Sequence, residues 1–265
     1  MVSGAAGHNE FEVALIVKSD APRRVAEQVG ALTSIAGYCL QPEAPQPIRD
    51  LYFDTPKRTL AAKHVALRLR TIGALRLLTV KGPSRRTEWG AAERLEFEES
   101  WSAGALDRTV ETLRRAGVTL ARAADATAAP IEVLRALGLD VVQDRETHRD
   151  PCGVTRSDDP LGTAVAELAV DAVAYHFDVN VVRMYEIEIE AKSAGGASAV
   201  RAIMDRLVTQ FAPALRPWPY GKLATGDIVE RLLREGALQG LLGIDNTLSP
   251  AALDRIEAVL TQEEP

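Results

Sequence analysis

Glu186, Glu188 and Glu190 alternate with Tyr185, Ile187 and Ile189 in this 265-residue chain. A period of two is a strand signature, with all three carboxylates on one face and the bulky apolar groups on the other. On a helix the same glutamates would spread around the axis, and β-branched isoleucine favours the strand. Like charges in a row repel, so water, cationic side chains or a metal ion must offset them. An ordinary strand with a solvated charged face accounts for most such alternations. Here the device recurs in Glu10-Phe-Glu12, Arg68-Leu-Arg70 and Arg94-Leu-Glu96-Phe-Glu98. Four strands with one ionic and one apolar face predict a sheet whose charged side is used.

The charges fall into two chemical kinds. Arginine and lysine bind phosphate oxygens, arginine bidentately. Carboxylates bind hard divalent ions through oxygen. Together they describe a site for a metal-chelated polyphosphate, where a metal polarises a phosphoryl group and cations stabilise charge on its oxygens.

Positioning such residues takes strands. Period-two runs cover residues 10–18, 49–55, 65–71, 75–81, 92–101, 139–149, 164–171, 172–177 and 181–192. Eight or nine strands with mostly short links predict an α+β fold: an antiparallel barrel with helices packed outside. Alternate side chains then point inward. With the charged faces inward, the lumen would hold Glu10, Glu12, Arg68, Arg70, Lys81, Arg94, Glu96, Glu98, Arg145, Asp171, Glu186, Glu188, Glu190 and Lys222. A wet lumen of mixed sign can hold charges that could not be buried singly. Asp50, Tyr52 and Asp54 also share a strand face.

Helices are expected where apolar residues recur every three or four positions. Ser19-Asp20-Ala-Pro22 reads as a capped helix start, followed by Val25, Val29, Leu32 and Ile35. Others cover 106–116, 130–137, 196–211 and 224–234, and residues 236–265 read as a helical hairpin on the main domain or a partner. Pro42, Pro45 and Pro47 mark a loop, Asp150-Pro-Cys-Gly153 a turn, residues 1–8 a tail, and 121–129 a loop or weak helix.

Composition narrows the classes. The net charge is -6 with a pI near 5.4, so nothing global attracts nucleic acid. The first residues lack the basic and apolar regions of a secretory signal, and no apolar run is long enough for a membrane. A cytoplasmic location is expected. Two cysteines and four scattered histidines make neither a disulfide framework nor a zinc site.

The ordered set carries a resemblance: Glu10-x-Glu12, Tyr52-Phe-Asp54-Thr-Pro56, Leu67-Arg68-Leu-Arg70, Thr79-Val-Lys81-Gly82, Arg94-x-Glu96-x-Glu98, Glu167-x-x-x-Asp171, Glu186-x-Glu188-x-Glu190 and Gly221-Lys222. It resembles the CYTH superfamily, the triphosphate tunnel metalloenzymes, over residues 9–235. These include class IV adenylate cyclases, thiamine triphosphatases, inorganic triphosphatases and fungal RNA triphosphatases; the bacterial inorganic triphosphatases look most similar. The resemblance implies an eight-stranded antiparallel tunnel, with residues 236–265 as an extension, and metal-dependent hydrolysis of a triphosphate. It implies that Arg68, Arg70, Lys81, Arg94, Arg145, Lys222 and Tyr52 bind substrate. Glu10, Glu12, Glu96, Glu98, Asp171, Glu186, Glu188 and Glu190 would hold Mg²⁺ or Mn²⁺ and orient water, with Glu12, Lys81 and Glu188 catalytic. Arg149 competes with Arg145 for one role, and Asp54 is expected to fix its turn.

One departure matters. The family opens Glu-x-Glu-x-Lys, whereas here Ala14 stands in the lysine position. Lys18 lies about 13 Å further along the strand and cannot substitute. Asp144 before Arg145 also departs from the usual basic pair. The expected function is hydrolysis of inorganic triphosphate or a small organic triphosphate. The alternatives are a non-catalytic polyphosphate or nucleotide binder, marked by Ala14, and an adenylate cyclase. The expected partner is the small-molecule substrate, with a homodimer left open and neither nucleic acid nor membrane required.

Overall fold

The computed structural model describes residues 8–121, 128–178, 180–193 and 195–263. The expected tail at 1–8 and the alanine-rich link at 121–129 therefore lie largely outside the described residues.

In chain order the elements are β1 (His8–Val17), α1 (Pro22–Gly30), β2 (Ser34–Ile35), β3 (Tyr38–Pro42), β4 (Gln46–Asp54), β5 (Ala66–Ile72), β6 (Leu75–Lys81), β7 (Arg85–Arg86) and β8 (Ala92–Ser100). They continue with α2 (Ala103–Arg115), α3 (Pro130–Ala136), β9 (Asp140–Arg156), β10 (Ala166–Phe177), β11 (Asn180–Ala191), α4 (Gly196–Gln210), β12 (Leu215–Pro217), α5 (Lys222–Arg234) and α6 (Pro250–Glu263). Hydrogen bonding orders the principal strands β10-β11-β1-β8-β6-β5-β4-β9, and β9 pairs back to β10. This closed ring of eight strands is the connectivity of the antiparallel barrel expected from the alternation. β2, β3, β7 and β12 are short additions to it.

The chain divides into two compact units. The first comprises Met1–Glu10, Ile48–Arg85 and Glu93–Arg145; the second comprises Phe11–Pro47, Arg86–Ala92 and Glu146–Pro265. Strands β1, β4 and β9 each contribute to both.

Each unit is built on the apolar faces of its strands. In the first, Leu67, Leu69, Leu78 and Val80 pack with Leu106, Val110 and Leu113 of α2 and Val133 and Leu134 of α3. In the second, Val13, Leu15, Leu168, Val170, Ile187 and Ile189 pack with Val25 and Val29 of α1 and Val200, Ile203 and Leu207 of α4. Another cluster there joins Tyr175 and Met184 to Ile228 and Leu232 of α5 and Leu253, Ile256 and Leu260 of α6. Each fully buried Leu or Ile contributes roughly 1.5–3 kcal/mol, whereas a buried ion pair often nets nothing against an apolar replacement. These outer faces therefore stabilise the fold, and the ionic faces are carried by it.

Capping follows local chemistry. Ser102 and Ser249 accept from the backbone N–H of Ala105 and Ala252 at 3.1 and 3.2 Å. Gly196 starts α4 where an added Cβ would lie 2.3 Å from the Val165 carbonyl oxygen, so only glycine fits that approach.

Several expectations need correction. Helix α1 stops at Gly30; Leu32 lies beyond it and Ile35 is in β2. No side chain caps α1, since Ser19 accepts from Ala21 before the first turn. The proline-marked loop at 42–47 is bounded by strands β3 and β4, with only residues 43–45 between them. No turn interrupts residues 150–153: β9 runs through because Pro42 pairs with Cys152 and Gln41 with Gly153. Finally, 164–171 and 172–177 are one strand, β10, whose residues pair continuously with β11 from Ala166 to Phe177.

Candidate active site

Cross-strand register decides which side chains meet, because directly opposite residues share a face. In the first unit Tyr52, Arg68, Thr79 and Glu98 stand in one row across β4, β5, β6 and β8. Ala66, Lys81 and Glu96 form the neighbouring row, and Asp50 lies opposite Arg70. The paired period-two strands explain why residues far apart in sequence converge.

Asp50 is the hub of this cluster. Arg70 donates Nε and Nη2 to its two oxygens at 2.8 and 2.9 Å, and Arg145 Nη2 donates to Oδ2 at 2.6 Å. Arg68 Nε stands 3.8 Å from Oδ1. Burial would raise the Asp50 carboxyl, but Arg68, the Arg70 hydrogen bond and Arg145 outweigh it and hold it far below the usual range. Arg68 Nη2 also donates to Glu98 at 3.0 Å, and Thr79 donates to the same oxygen at 2.7 Å. Burial raises the Glu98 carboxyl less than Arg68 and Thr79 lower it. Lys81 Nζ lies 3.1 Å from Glu10 and 2.9 Å from Glu96, and Arg94 Nε donates to Glu10 at 2.6 Å. Against the burial penalty, Lys81 and Arg94 keep Glu10 ionised.

Tyr52 is buried beside these cations. Its hydroxyl accepts from Arg145 Nη2 at 3.3 Å, and the Arg145 guanidinium carbon lies 5.1 Å from its ring centre. Burial raises the phenol, yet Arg145 and Arg68 bring it down from 10.0 to about 8. Asp54 stands apart from the cluster. Its carboxylate accepts from the backbone N–H of Thr55, Leu60 and Ala61, which fixes the turn after β4 as expected. Asp144 pairs with Arg49 at 2.7 Å.

The second unit holds a separate cluster. Glu12, Glu190 and Glu167 form one row across β1, β11 and β10; Ala14, Glu188 and Ala169 form the next; Ile16, Glu186 and Asp171 form the third. Lys222, the first residue of α5, places Nζ 2.5 Å from Glu186, 2.5 Å from Glu188 and 3.1 Å from Asp171. A hydrogen bond from the Tyr175 hydroxyl to the Lys222 carbonyl at 2.9 Å holds that helix start. Burial opposes the Lys222 charge, but Glu186, Glu188 and Asp171 raise its pKa well above the ordinary lysine value. Arg149 donates Nε and Nη2 to Asp171 at 2.8 and 2.7 Å and makes a close contact with Glu188. Lys192 Nζ lies 2.6 Å from Glu190 and 3.8 Å from Glu167. Glu186 is driven up to about 8 by burial, with Glu188 and Asp171 adding to burial against Lys222. Its Oε2 is buried without a hydrogen-bond partner.

The structure thus gathers Glu10, Tyr52, Arg68, Arg70, Lys81, Arg94, Glu96, Glu98 and Arg145 in one unit, and Glu12, Asp171, Glu186, Glu188, Glu190 and Lys222 in the other. Sequence reasoning gave Asp50 no role in the site and named Arg149 only as a competitor of Arg145. The signal for Asp50 was its alternation with Tyr52 and Asp54. Arg149 shares a strand face with Arg145, and each arginine serves its own cluster, so they do not compete. Lys18 pairs with Asp254 of α6 and takes no part in either cluster.

Among the described residues no helix is long and apolar enough to cross a membrane.

Comparisons with known proteins bear on the fold. No curated protein matches the chain. Among solved structures, an adenylyl cyclase candidate from Hippeastrum, described as having a dominant triphosphatase activity, superimposes with a TM-score of 0.52 at 16% identity, covering 82% of this chain and 95% of that one. An adenylate cyclase candidate from Bacillus halodurans gives 0.49 at 18% identity, over 83% of this chain and 97% of that one. A protein from Pyrococcus horikoshii gives 0.45 at 18% identity, over 84% and 99%. The family model described as the CYTH domain matches residues 15–207, well over half of the chain. The chain therefore belongs to the CYTH domain family.

Proposed function

We propose that the protein is a divalent-metal-dependent triphosphatase acting on inorganic triphosphate or a small organic triphosphate. The observation that carries this is the opposite charge balance of the two clusters. In the first unit five cations (Arg68, Arg70, Lys81, Arg94, Arg145) meet four carboxylates (Glu10, Asp50, Glu96, Glu98). In the second unit six carboxylates (Glu12, Glu167, Asp171, Glu186, Glu188, Glu190) meet Arg149, Lys192 and Lys222. A cation-rich face suits a polyphosphate, and a carboxylate-rich face suits a hard divalent ion. The triphosphatase activity in the description of the Hippeastrum neighbour agrees with this reading.

The donor chemistry fits Mg²⁺ or Mn²⁺. Asp171, Glu186 and Glu188 offer oxygen only, and their oxygens meet at the Lys222 ammonium, a monovalent cation among hard donors. The unpartnered Glu186 Oε2 is a further donor. These three residues would hold the ion, with Glu12 and Glu190 as further candidates. When bound, it would polarise a phosphoryl oxygen and lower the pKa of a water. Arg68, Arg70, Lys81 and Arg145 would bind the phosphates; Asp50 pairs with Arg70 and Arg145, Glu96 and Glu98 with Arg68, and Glu10 with Lys81. Tyr52 would add a hydrogen bond at the Arg145 end.

The test is phosphate release from tripolyphosphate, ATP and thiamine triphosphate with Mg²⁺ or Mn²⁺. Release from at least one is expected; none from any would overturn the assignment.

A second reading has its own support. Among the described residues no three His, Cys, Asp or Glu side chains stand arranged for an ion, since Lys222 and Arg149 engage the acids. With Ala14 in the family lysine position, this favours a polyphosphate binder without turnover. Calorimetry showing tight tripolyphosphate binding with no hydrolysis would select it.

A further inference from the structure

Glu188 stands between two alanines. Ala14 of β1 lies directly opposite on one side and Ala169 of β10 on the other. Neither methyl group offers charge or a hydrogen bond, so the orientation of this carboxylate has to come from outside these strands. Lys222 of α5 holds one Glu188 oxygen, and Arg149 of β9 holds the other. Its guanidinium donates twice to Asp171, contacts Glu188, and places Nη1 3.8 Å from Glu167. Glu167 and Asp171 flank Ala169 along the same face of β10, and Glu188 is its cross-strand partner. Register therefore puts Ala169 between the two β10 carboxylates that Arg149 engages and opposite the third, and Ala169 is 1% exposed.

We propose that Arg149 is the positioning residue for Glu188 and Asp171, that Ala169 is the floor its guanidinium requires, and that this pair does for Glu188 what strand β1, carrying Ala14, does not. A lysine at position 14 would reach Glu188 from the β1 side; here Arg149 of β9 reaches it beside Lys222 of α5. Both arrangements restrain one carboxylate, so they are interchangeable in principle and redundant when combined. The effect on turnover rests on the triphosphatase reading, whereas the coupling between positions 14 and 149 does not.

The experiment is a double-mutant cycle with two readouts, melting temperature and steady-state tripolyphosphate hydrolysis with Mg²⁺. Arg149→Gln is expected to lower the melting temperature and to cut kcat about tenfold or more, the range seen when a group orienting a metal ligand is lost. KM should change less than about threefold, because the phosphate-binding cations are untouched. Ala14→Lys alone should bring no gain. Ala14→Lys combined with Arg149→Gln should recover most of both losses. Ala169→Leu, which fills the floor, should reproduce the kcat loss with arginine still present. Should Arg149→Gln fail to fold, Arg149→Lys replaces it in the cycle, keeping the charge but losing the fork. The proposal is overturned if the combined variant is no better than the Arg149 variant in either readout, or if Ala169→Leu leaves kcat unchanged. A wild-type protein inactive on every triphosphate sinks the triphosphatase reading instead, and the cycle is then decided by melting temperature alone.

Discussion

Two ionic clusters built by the same device end with opposite character. Both arise where paired strands present period-two charges on one face, and both bring together residues far apart in the chain. In the first unit opposite signs share rows: Arg68 with Glu98 across Thr79, Lys81 with Glu96, Arg70 with Asp50. In the second unit the rows stack like charges: Glu12, Glu190 and Glu167 in one, Glu186 and Asp171 in another. Mixed rows neutralise themselves within the sheet. Stacked carboxylates cannot, so their cations come from elsewhere, from Arg149 on β9 and Lys222 at the start of α5. The first cluster is a cradle whose counter-charges sit on facing strands, while the second also borrows Lys222 from a helix. On that difference rests the proposal that the first cluster binds phosphate and the second a metal ion.

The largest effect should come from the hub of the cradle. Asp50→Asn leaves Arg68, Arg70 and Arg145 crowded without their shared counter-charge, a cost of about 3–5 kcal/mol. Glu190→Gln weakens the pair with the partly exposed Lys192 and should cost about 0–1 kcal/mol. Urea unfolding of both variants checks this. Equal midpoints would mean that the two clusters are not differently organised.

Next comes a pair of charge-removing changes that should separate the functions. Glu188→Gln should lower turnover about 100-fold or more while leaving the fold intact, since it removes a candidate ligand charge. It should weaken the thermal stabilisation by Mn²⁺, and leave that by metal-free tripolyphosphate in place. Arg70→Gln should do the reverse. Ligand stabilisation follows mass action, about 2.7 kcal/mol at a hundredfold excess over Kd, so both arms are measurable by thermal shift. If each variant weakens both responses equally, the division of labour is wrong.

Much of this was legible from alternation alone. Ionic and apolar faces of β1, β5, β8 and β11 follow from period two, and the ordered charges pointed to the family before any contact was known. What escaped notice has physical causes. Asp150-Pro-Cys-Gly153 has the composition of a turn, but pairing with β3 holds it extended. Prolines at 42, 45 and 47 conceal β3, whose pairing partner lies more than a hundred residues on. Arg145 and Arg149 are four residues apart on one strand, so periodicity puts both inward and cannot say that they serve separate clusters. Asp50 meets arginines 20 and 95 residues away, and nothing local distinguishes a hub carboxylate from any other strand aspartate.

The subtlest prediction probes the field inside the cradle through its buried phenol. Tyr52 is surrounded by Arg145 and Arg68, which favour the phenolate, and is brought from 10.0 down to about 8 despite its burial. An acid whose folded pKa lies below its unfolded one stabilises the fold when ionised. Its contribution is full above pH 10, shrinks as the pH falls towards 8, and is absent below. Tyrosinate absorbance of the native protein should therefore show a step near pH 8, and Tyr52→Phe should remove it. Arg145→Gln takes away the foremost cation in contact with the hydroxyl and should move the step back towards 10. A step that stays near 8 in that variant would mean that the positive potential of this cluster does not come from the arginines facing Tyr52, and the contrast with the acidic cluster would lose its electrostatic basis.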